Sequence, residues 1–228
     1  MGKNMVGCET GSNRMRQAIL YSILILIFLT GCEKWYNTED ISHISYIPEF
    51  TFEGGDFISM LRSDTAEYTD PGATATSNGE PLQVYAFGEV DVSKVGVYII
   101  RYYAQNKDGL IGKADRIVAV THHDVSKNDL SATYEGTNWD LVESKVRKID
   151  SLGLYECEEV LGYYNLEMAG RFVDLGNNEL VLLAGEGYLG RYAASEGTYT
   201  RSTLSWTIHL LDPPNDGIEI EVLWRKKD

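Results

Sequence analysis

The sequence predicts an all-β protein, and three observations carry that prediction. Apolar residues past the leader fall into short runs that alternate with polar ones, as half-buried strands require. Turn residues punctuate the runs at Asp70-Pro71-Gly72, Asn106-Lys107-Asp108-Gly109 and Gly176-Asn177-Asn178, where proline fixes φ and glycine or asparagine tolerates positive φ. No twelve-residue stretch beyond the leader carries a helical apolar face. The expected architecture is an N-terminal β-sandwich followed by a second antiparallel unit, either another sandwich or a small barrel.

The leader comes first. Arg14 and Arg16 precede an uncharged run from Ala18 to Gly31. That run is shorter than the roughly 20 residues of a spanning helix and fits a signal-peptide core. Met15 directly before it offers a second start site besides Met1. Leu29-Thr30-Gly31-Cys32 resembles the bacterial lipobox. The resemblance implies removal of residues 1–31, acylation of Cys32 and attachment to a membrane through that lipid. Residues 32–43 are polar and read as a tether. Their acids, Glu33, Glu39 and Asp40, loosely resemble the export signals of Bacteroidota surface lipoproteins. The expected location is therefore the outer membrane, on the cell surface, with the periplasmic face as the alternative.

Composition narrows the function. The 228 residues carry a formal charge of −14. The leader holds Lys3, Arg14 and Arg16 against Glu9, a net +2, so the remainder carries −16. Such an acidic chain is unsuited to nucleic acid, whose binding needs Lys and Arg to displace counterions. It is equally unsuited to electrostatic docking on anionic lipid, which leaves attachment to the acyl chains. With Cys8 and Cys32 set aside, Cys157 is the one cysteine left. Its neighbours Glu156, Glu158 and Glu159 oppose thiolate formation, so it reads as a small strand residue.

Residues 44–121 read as one unit. Ser45-Tyr46-Ile47 is a short run before Pro48, and Leu82 to Ala86 alternates. Tyr98, Ile100, Tyr102 and Ala104 share one face of a long strand, and Arg116 to Val120 forms the closing strand. Tyr68 to Ala73, Asp91 to Tyr98 and the paired final strand resemble bacterial Ig-like modules related to hyalin repeats. The resemblance implies seven strands in two sheets. It places Tyr98 at the tyrosine corner and Ile100 where antibody domains carry a disulfide cysteine. Such modules are spacers or adhesive units.

Thr121 to Asp129 is a polar break. His122-His123-Asp124 invites a metal reading, but adjacent strand residues face opposite ways, and a solvated linker fits better. No metal or cofactor is expected.

Residues 129–228 form the second unit. Runs at Leu141–Ile149, Leu154–Val160, Arg171–Asp174, Glu179–Ala184, Gly197–Thr200, Leu204–Leu210 and Ile218–Trp224 read as six to eight antiparallel strands. Leu130 to Thr137 together with Gly197-x-Tyr199 and Leu204-x-Trp206 resemble the somewhat lipocalin-like domain that follows an Ig-like module in Bacteroidota lipoproteins. The resemblance implies a place beside polysaccharide-uptake systems.

Catalytic motifs are missing from the text: no G-x-S-x-G, H-E-x-x-H or Walker loop occurs. The chain therefore reads as non-catalytic. Aromatic rings in glycine-bearing or loop-like stretches make a better case for glycan binding, because an apolar ring face packs on a pyranose. The candidates are Trp139, Tyr163, Tyr164, Tyr188 and Tyr192, whereas Trp206 and Trp224, mid-strand, read as core. The expected function is an accessory glycan- or ligand-binding lipoprotein. A structural or adhesive protein contacting protein partners is the alternative, and a small hydrolase the weaker one.

Overall fold

The computed structural model describes residues 44–137, 142–162, 166 and 168–227. Ser45–Asp228 forms one compact unit, and among the described residues there is no helix. The first seven strands are β1 (Glu49–Phe52), β2 (Phe57–Leu61), β3 (Ala73–Ser77), β4 (Glu80–Leu82), β5 (Val84–Phe87), β6 (Gly96–Gln105) and β7 (Ile111–Thr121). They form two sheets, ordered β1-β3-β4 and β2-β7-β6-β5, which is the expected seven-stranded sandwich. The Ser45-Tyr46-Ile47 run is not a strand, because pairing starts only after Pro48, which has no N–H to donate. Side chains hold that run instead: Ser77 Oγ and Asn106 Nδ2 donate to the Tyr46 carbonyl, each at 2.8 Å.

The sandwich core is small and is pinned by a charge. Ile100, Tyr102 and Val118 are the buried residues of its central apolar cluster. Among them Arg116 on β7 is fully enclosed. All five guanidinium N–H groups find acceptors. Nε donates to the Gly55 carbonyl at 3.0 Å, Nη2 to the Glu53 and Gly72 carbonyls at 2.5 and 2.8 Å, and Nη1 to the Tyr102 hydroxyl at 2.8 Å and to Asp70. Tyr68 and Tyr102 also donate to Asp70, at 3.0 and 2.5 Å. The turn Asp70-Pro71-Gly72 thus supplies both the counter-charge and a carbonyl for the buried cation. Tyr98 makes the corner contact, donating from its hydroxyl to the Lys94 carbonyl at 2.9 Å.

The second unit comprises β8 (Ala132–Gly136), β9 (Glu143–Lys148), β10 (Leu154–Cys157), β11 (Gly170–Gly176), β12 (Glu179–Leu182), β13 (Gly185–Gly187), β14 (Gly190–Tyr192), β15 (Ser195–Tyr199), β16 (Thr203–His209) and β17 (Glu219–Lys226). Eight of these, β8 to β12 and β15 to β17, pair antiparallel in chain order, and β17 closes on β8. The unit is a closed barrel. β13 and β14 form a separate hairpin between β12 and β15. The sequence pattern missed it, because Gly185, Gly187 and Gly190 look like loop.

Inward residues fill the barrel, as expected where eight strands enclose little more than side chains. Tyr155 stacks on Phe172 at 5.0 Å between ring centroids, Phe172 meets Trp206 at 5.8 Å, and Trp206 meets Trp224 at 6.4 Å. The Trp206 indole donates to the Val160 carbonyl at 2.7 Å. The lipocalin likeness thus extends to strand order and closure, while among the described residues the interior is occupied by the protein's own rings.

The two units share a wall. On the barrel's outside, Leu154, Val173, Leu175 and Leu183 pack against Phe57 and Ala119 of the sandwich. Alternation explains this: Phe172 and Asp174 point inward, so Val173 and Leu175 must point out. Strand β7 is accordingly enclosed on both faces from Arg116 to Thr121 apart from Ile117. The segment that follows departs from the expected solvated linker. Thr121 and Val125 are buried, the His122 amide donates to the Leu175 carbonyl at 2.9 Å, and Lys148 Nζ donates to the Ser126 and Asn128 carbonyls. Apolar burial of Val125 and these backbone bonds outweigh the solvation of a polar sequence.

Candidate functional site

One end of the barrel opens toward the linker. There the inward rows finish in polar residues: Asp174 above Phe172 on β11, Tyr199 beyond Gly197 on β15, and Lys226 beyond Trp224 on β17. Asn128 and Leu130 of the linker and the turns at Asn177-Asn178 and Thr200-Arg201-Ser202 complete a mouth of about 980 Å³. That volume lies in the range of small-ligand sites.

The floor of the mouth is fixed by hydrogen bonds. Asp174 is fully buried and accepts from Asn128 Nδ2 at 2.8 Å and from the Gly176 amide at 2.8 Å. Asn128 Nδ2 also donates to the Tyr199 hydroxyl at 3.3 Å, and the Asn128 carbonyl accepts from Tyr155 at 2.8 Å. Burial and the adjacent Asp174 charge raise the Tyr199 phenol above its ordinary range, keeping it protonated. Tyr134, whose hydroxyl donates to the Leu130 carbonyl at 3.0 Å, is pushed up to about 12 by burial. Asn177 and Asn178 both adopt left-handed backbone, with φ of 53° and 67°. Asparagine tolerates that conformation better than most residues, and the two amides stand exposed at the rim.

The rim is cationic. Lys127, Arg201 and Lys226 line it and form no ion pair among the described residues, whereas Arg62, Lys94, Arg101, Arg191 and Lys227 each meet a carboxylate. Asp129 is the one acid in the lining. Hydrogen bonds from Ser131 hold it below the ordinary carboxylate range, with Lys148 and Lys226 adding to the effect. A groove of about 900 Å³ on the sandwich has the opposite sign, with Asp64, Glu67, Asp70, Glu89 and Asp91 in its lining. There Asp70 is engaged by Arg116, and Asp91 by Lys94 and Ser93.

The candidate aromatic residues do not converge among the described residues. Trp139, Tyr163 and Tyr164 lie outside them. Tyr188, between β13 and β14, is 78 % exposed. Tyr192 is 1 % exposed and belongs to the barrel core. It is corrected from ligand platform to core residue: Gly170 and Gly185, which have no Cβ, let its hydroxyl approach, and that hydroxyl donates to the Ala169 carbonyl at 3.4 Å. Trp206 and Trp224 are buried. An exposed aromatic strip occurs instead on the sandwich, where Tyr85 and Phe87 of edge strand β5 stand beside Tyr103, with Phe87 and Tyr103 edge-to-face at 5.7 Å. Cys32 lies outside the described residues. Cys157 is enclosed, and burial pushes its thiol up to about 12, away from reactivity. His122 Nε2 lies 2.9 Å from Glu179 Oε2, while His123 packs beside Gly176 at the rim.

The mouth residues escaped sequence reasoning because they come from four separate turn-like segments. One signal was present: Lys226 continues the inward row of Val222 and Trp224, a cation in a core register.

No curated protein matches the chain. A lipoprotein of Bacteroides thetaiotaomicron, known from its crystal structure, is similar at 20 % identity and a TM-score of 0.35, over 78 % of this chain and 100 % of that one. Residues 52–120 match the family described as bacterial surface protein, Ig-like domain, so the N-terminal sandwich is similar to the Ig-like domains of bacterial surface proteins.

Proposed function

We propose that this chain is a non-catalytic, lipid-anchored protein of the outer cell envelope that binds a glycan in the mouth of its barrel. The observation that carries this is the composition of the mouth: exposed amides of Asn177 and Asn178, the Ser202 hydroxyl, and cations without an ion pair among the described residues stand over a hydrogen-bonded floor. Polyhydroxylated ligands are gripped by such groups, and the filled interior beneath favours a polar occupant over a lipid. The surface-type Ig-like module supports the location, and Cys32 supplies the anchor; diacylglyceryl-modified Cys32 is expected in mass spectra of membrane-extracted protein. Glycan-array binding by the detergent-solubilised full chain tests the activity. Asn177→Ala with Arg201→Ala is expected to abolish hits, and Tyr188→Ala to leave them.

A second reading rests on the strip at Tyr85, Phe87 and Tyr103, which suits adhesion to a protein partner along the β5 edge. Array signals lost on Tyr85→Ser with Phe87→Ser, and kept in the mouth variant, would favour it.

A further inference from the structure

Given the proposed ligand seat at the barrel mouth, on which this step rests, we infer that the glycan it takes is acidic, bearing carboxylate or sulfate groups that Lys127, Arg201 and Lys226 meet at the rim. The charge distribution points there. The chain carries −14 overall; Arg62, Lys94, Arg101, Lys107, Arg147, Arg191 and Lys227 stand against carboxylates, and Lys113, Lys145, Arg171 and Arg225, without an ion pair among the described residues, lie on four different strands. At the mouth three cations from three distant segments, the linker, the β15–β16 turn and the end of β17, converge on one concavity without ion-pair partners among the described residues.

The acids near the mouth offset this charge only in part, although Lys127 acts on Asp124 and Lys226 on Asp129. Asp174 lies beneath the floor with its oxygens taken by Asn128 and the Gly176 amide. Asp129 accepts from the Ser131 amide at 2.9 Å. Lys148, held against the Ser126 and Asn128 carbonyls, adds a further positive charge below the linker. Glu179, next to Asn178, lies 2.9 Å from His122 Nε2. Bringing like charges together is unfavourable, and an anion between them relieves the repulsion. Arg201 offers a planar fork that fits a carboxylate or sulfate through two parallel hydrogen bonds. In a chain that otherwise repels polyanions, a local basic mouth also steers an acidic chain end to one place. Neutral sugars need only the amides and hydroxyls.

Calorimetry on the detergent-solubilised full chain tests this with four probes: oligogalacturonate for carboxylate, a chondroitin sulfate oligosaccharide for sulfate ester, and neutral galactan and xylan oligosaccharides of matched length. At least one acidic probe is expected to bind ten-fold or more tightly than both neutral ones, and to weaken several-fold between 50 and 300 mM NaCl, amounts set by the loss of three charge contacts. Arg201→Gln and Lys226→Gln are expected to cost the acidic probe about ten-fold each, several times more than they cost the neutral probes, with the melting temperature unchanged, and Arg201→Lys to restore part of the loss. Which acidic probe binds identifies the oxyanion. Equal affinity for neutral and acidic probes, with no salt dependence, overturns the acidic preference and leaves the mouth as a glycan seat. Absence of binding by all four at millimolar concentration overturns both.

Discussion

The two β-units solve the same problem with opposite chemistry. The sandwich has three buried apolar residues in its central cluster and is held by an enclosed arginine, whereas among the described residues nineteen buried ones form the barrel cluster, six of them aromatic. A thin sandwich core cannot gather enough apolar area, at about 25 cal/mol per Å², to set the turn at Asp70 and the loop at Glu53 by burial alone. A cation with five satisfied donors fixes both. The barrel closes its own edges and relies on its apolar interior. Its buried carboxylates lie where the apolar rows run out: Asp174 at the mouth, and Glu159 beyond β10, where it accepts from the Leu161 and Met168 amides at 2.8 and 3.0 Å.

Breaking the pin gives the largest expected effect. Arg116→Met leaves three carbonyls without their donor and Asp70 without its counter-charge, and should destabilise the chain by about 3–5 kcal/mol, seen as a lower urea midpoint. An unchanged midpoint would remove the contrast between the units. Acid probes the same contact. Burial raises the Asp70 carboxyl, but hydrogen bonds from Tyr102, Arg116 and Tyr68 outweigh burial and hold it below the usual carboxylate range. Its contribution to stability is therefore present above the unfolded pKa of about 4 and is lost as pH falls through the lower folded value. An Asp70→Asn variant should lose this part of the acid dependence, which pH-resolved denaturation reads directly.

Inside the barrel, the two tryptophans sharpen the comparison. The Trp206 indole has a partner, while the buried Trp224 Nε1 has none among the described residues. Trp206→Phe should therefore cost about 1–2 kcal/mol more than Trp224→Phe, because it strands the Val160 carbonyl, whereas the other change removes an unsatisfied donor. Equal losses in thermal melts would contradict this. The smallest effect is at the corner: Tyr98→Phe deletes one partly exposed hydrogen bond and should cost about 1 kcal/mol or less.

Strands were the legible part of the fold, because alternation writes itself into sequence wherever one sheet face is buried. Tyr98, Ile100 and Tyr102 in β6 and Ile220, Val222 and Trp224 in β17 follow that rule. Arg116 was opaque for the same reason, since a charge in an alternating run reads as outward-facing, and only the distant Asp70 makes its burial tolerable. The barrel's closure was equally hidden. Pairing of β17 with β8 joins segments about ninety residues apart, and periodicity within a strand says nothing about its neighbour. The mouth was hidden because Asn128, Asn177, Arg201 and Lys226 each sit in locally ordinary turn or strand-end contexts. Tyr192 was misassigned because glycines at 185 and 190 suggested loop, whereas Gly185 makes room for the Tyr192 ring and Gly190 takes a positive φ at the end of the β13–β14 turn.

Parallel pairing of β2 with β7 decides how this molecule bears tension. Phe57 lies opposite Ile117 and Leu61 opposite Thr121, so force entering at Phe57 and leaving at Thr121 acts at opposite ends of the paired stretch. The strands must slide past one another, straining every rung of that ladder together instead of peeling rungs in turn. Under the proposed function, a module wired in this way resists drag on a ligand held at the barrel mouth.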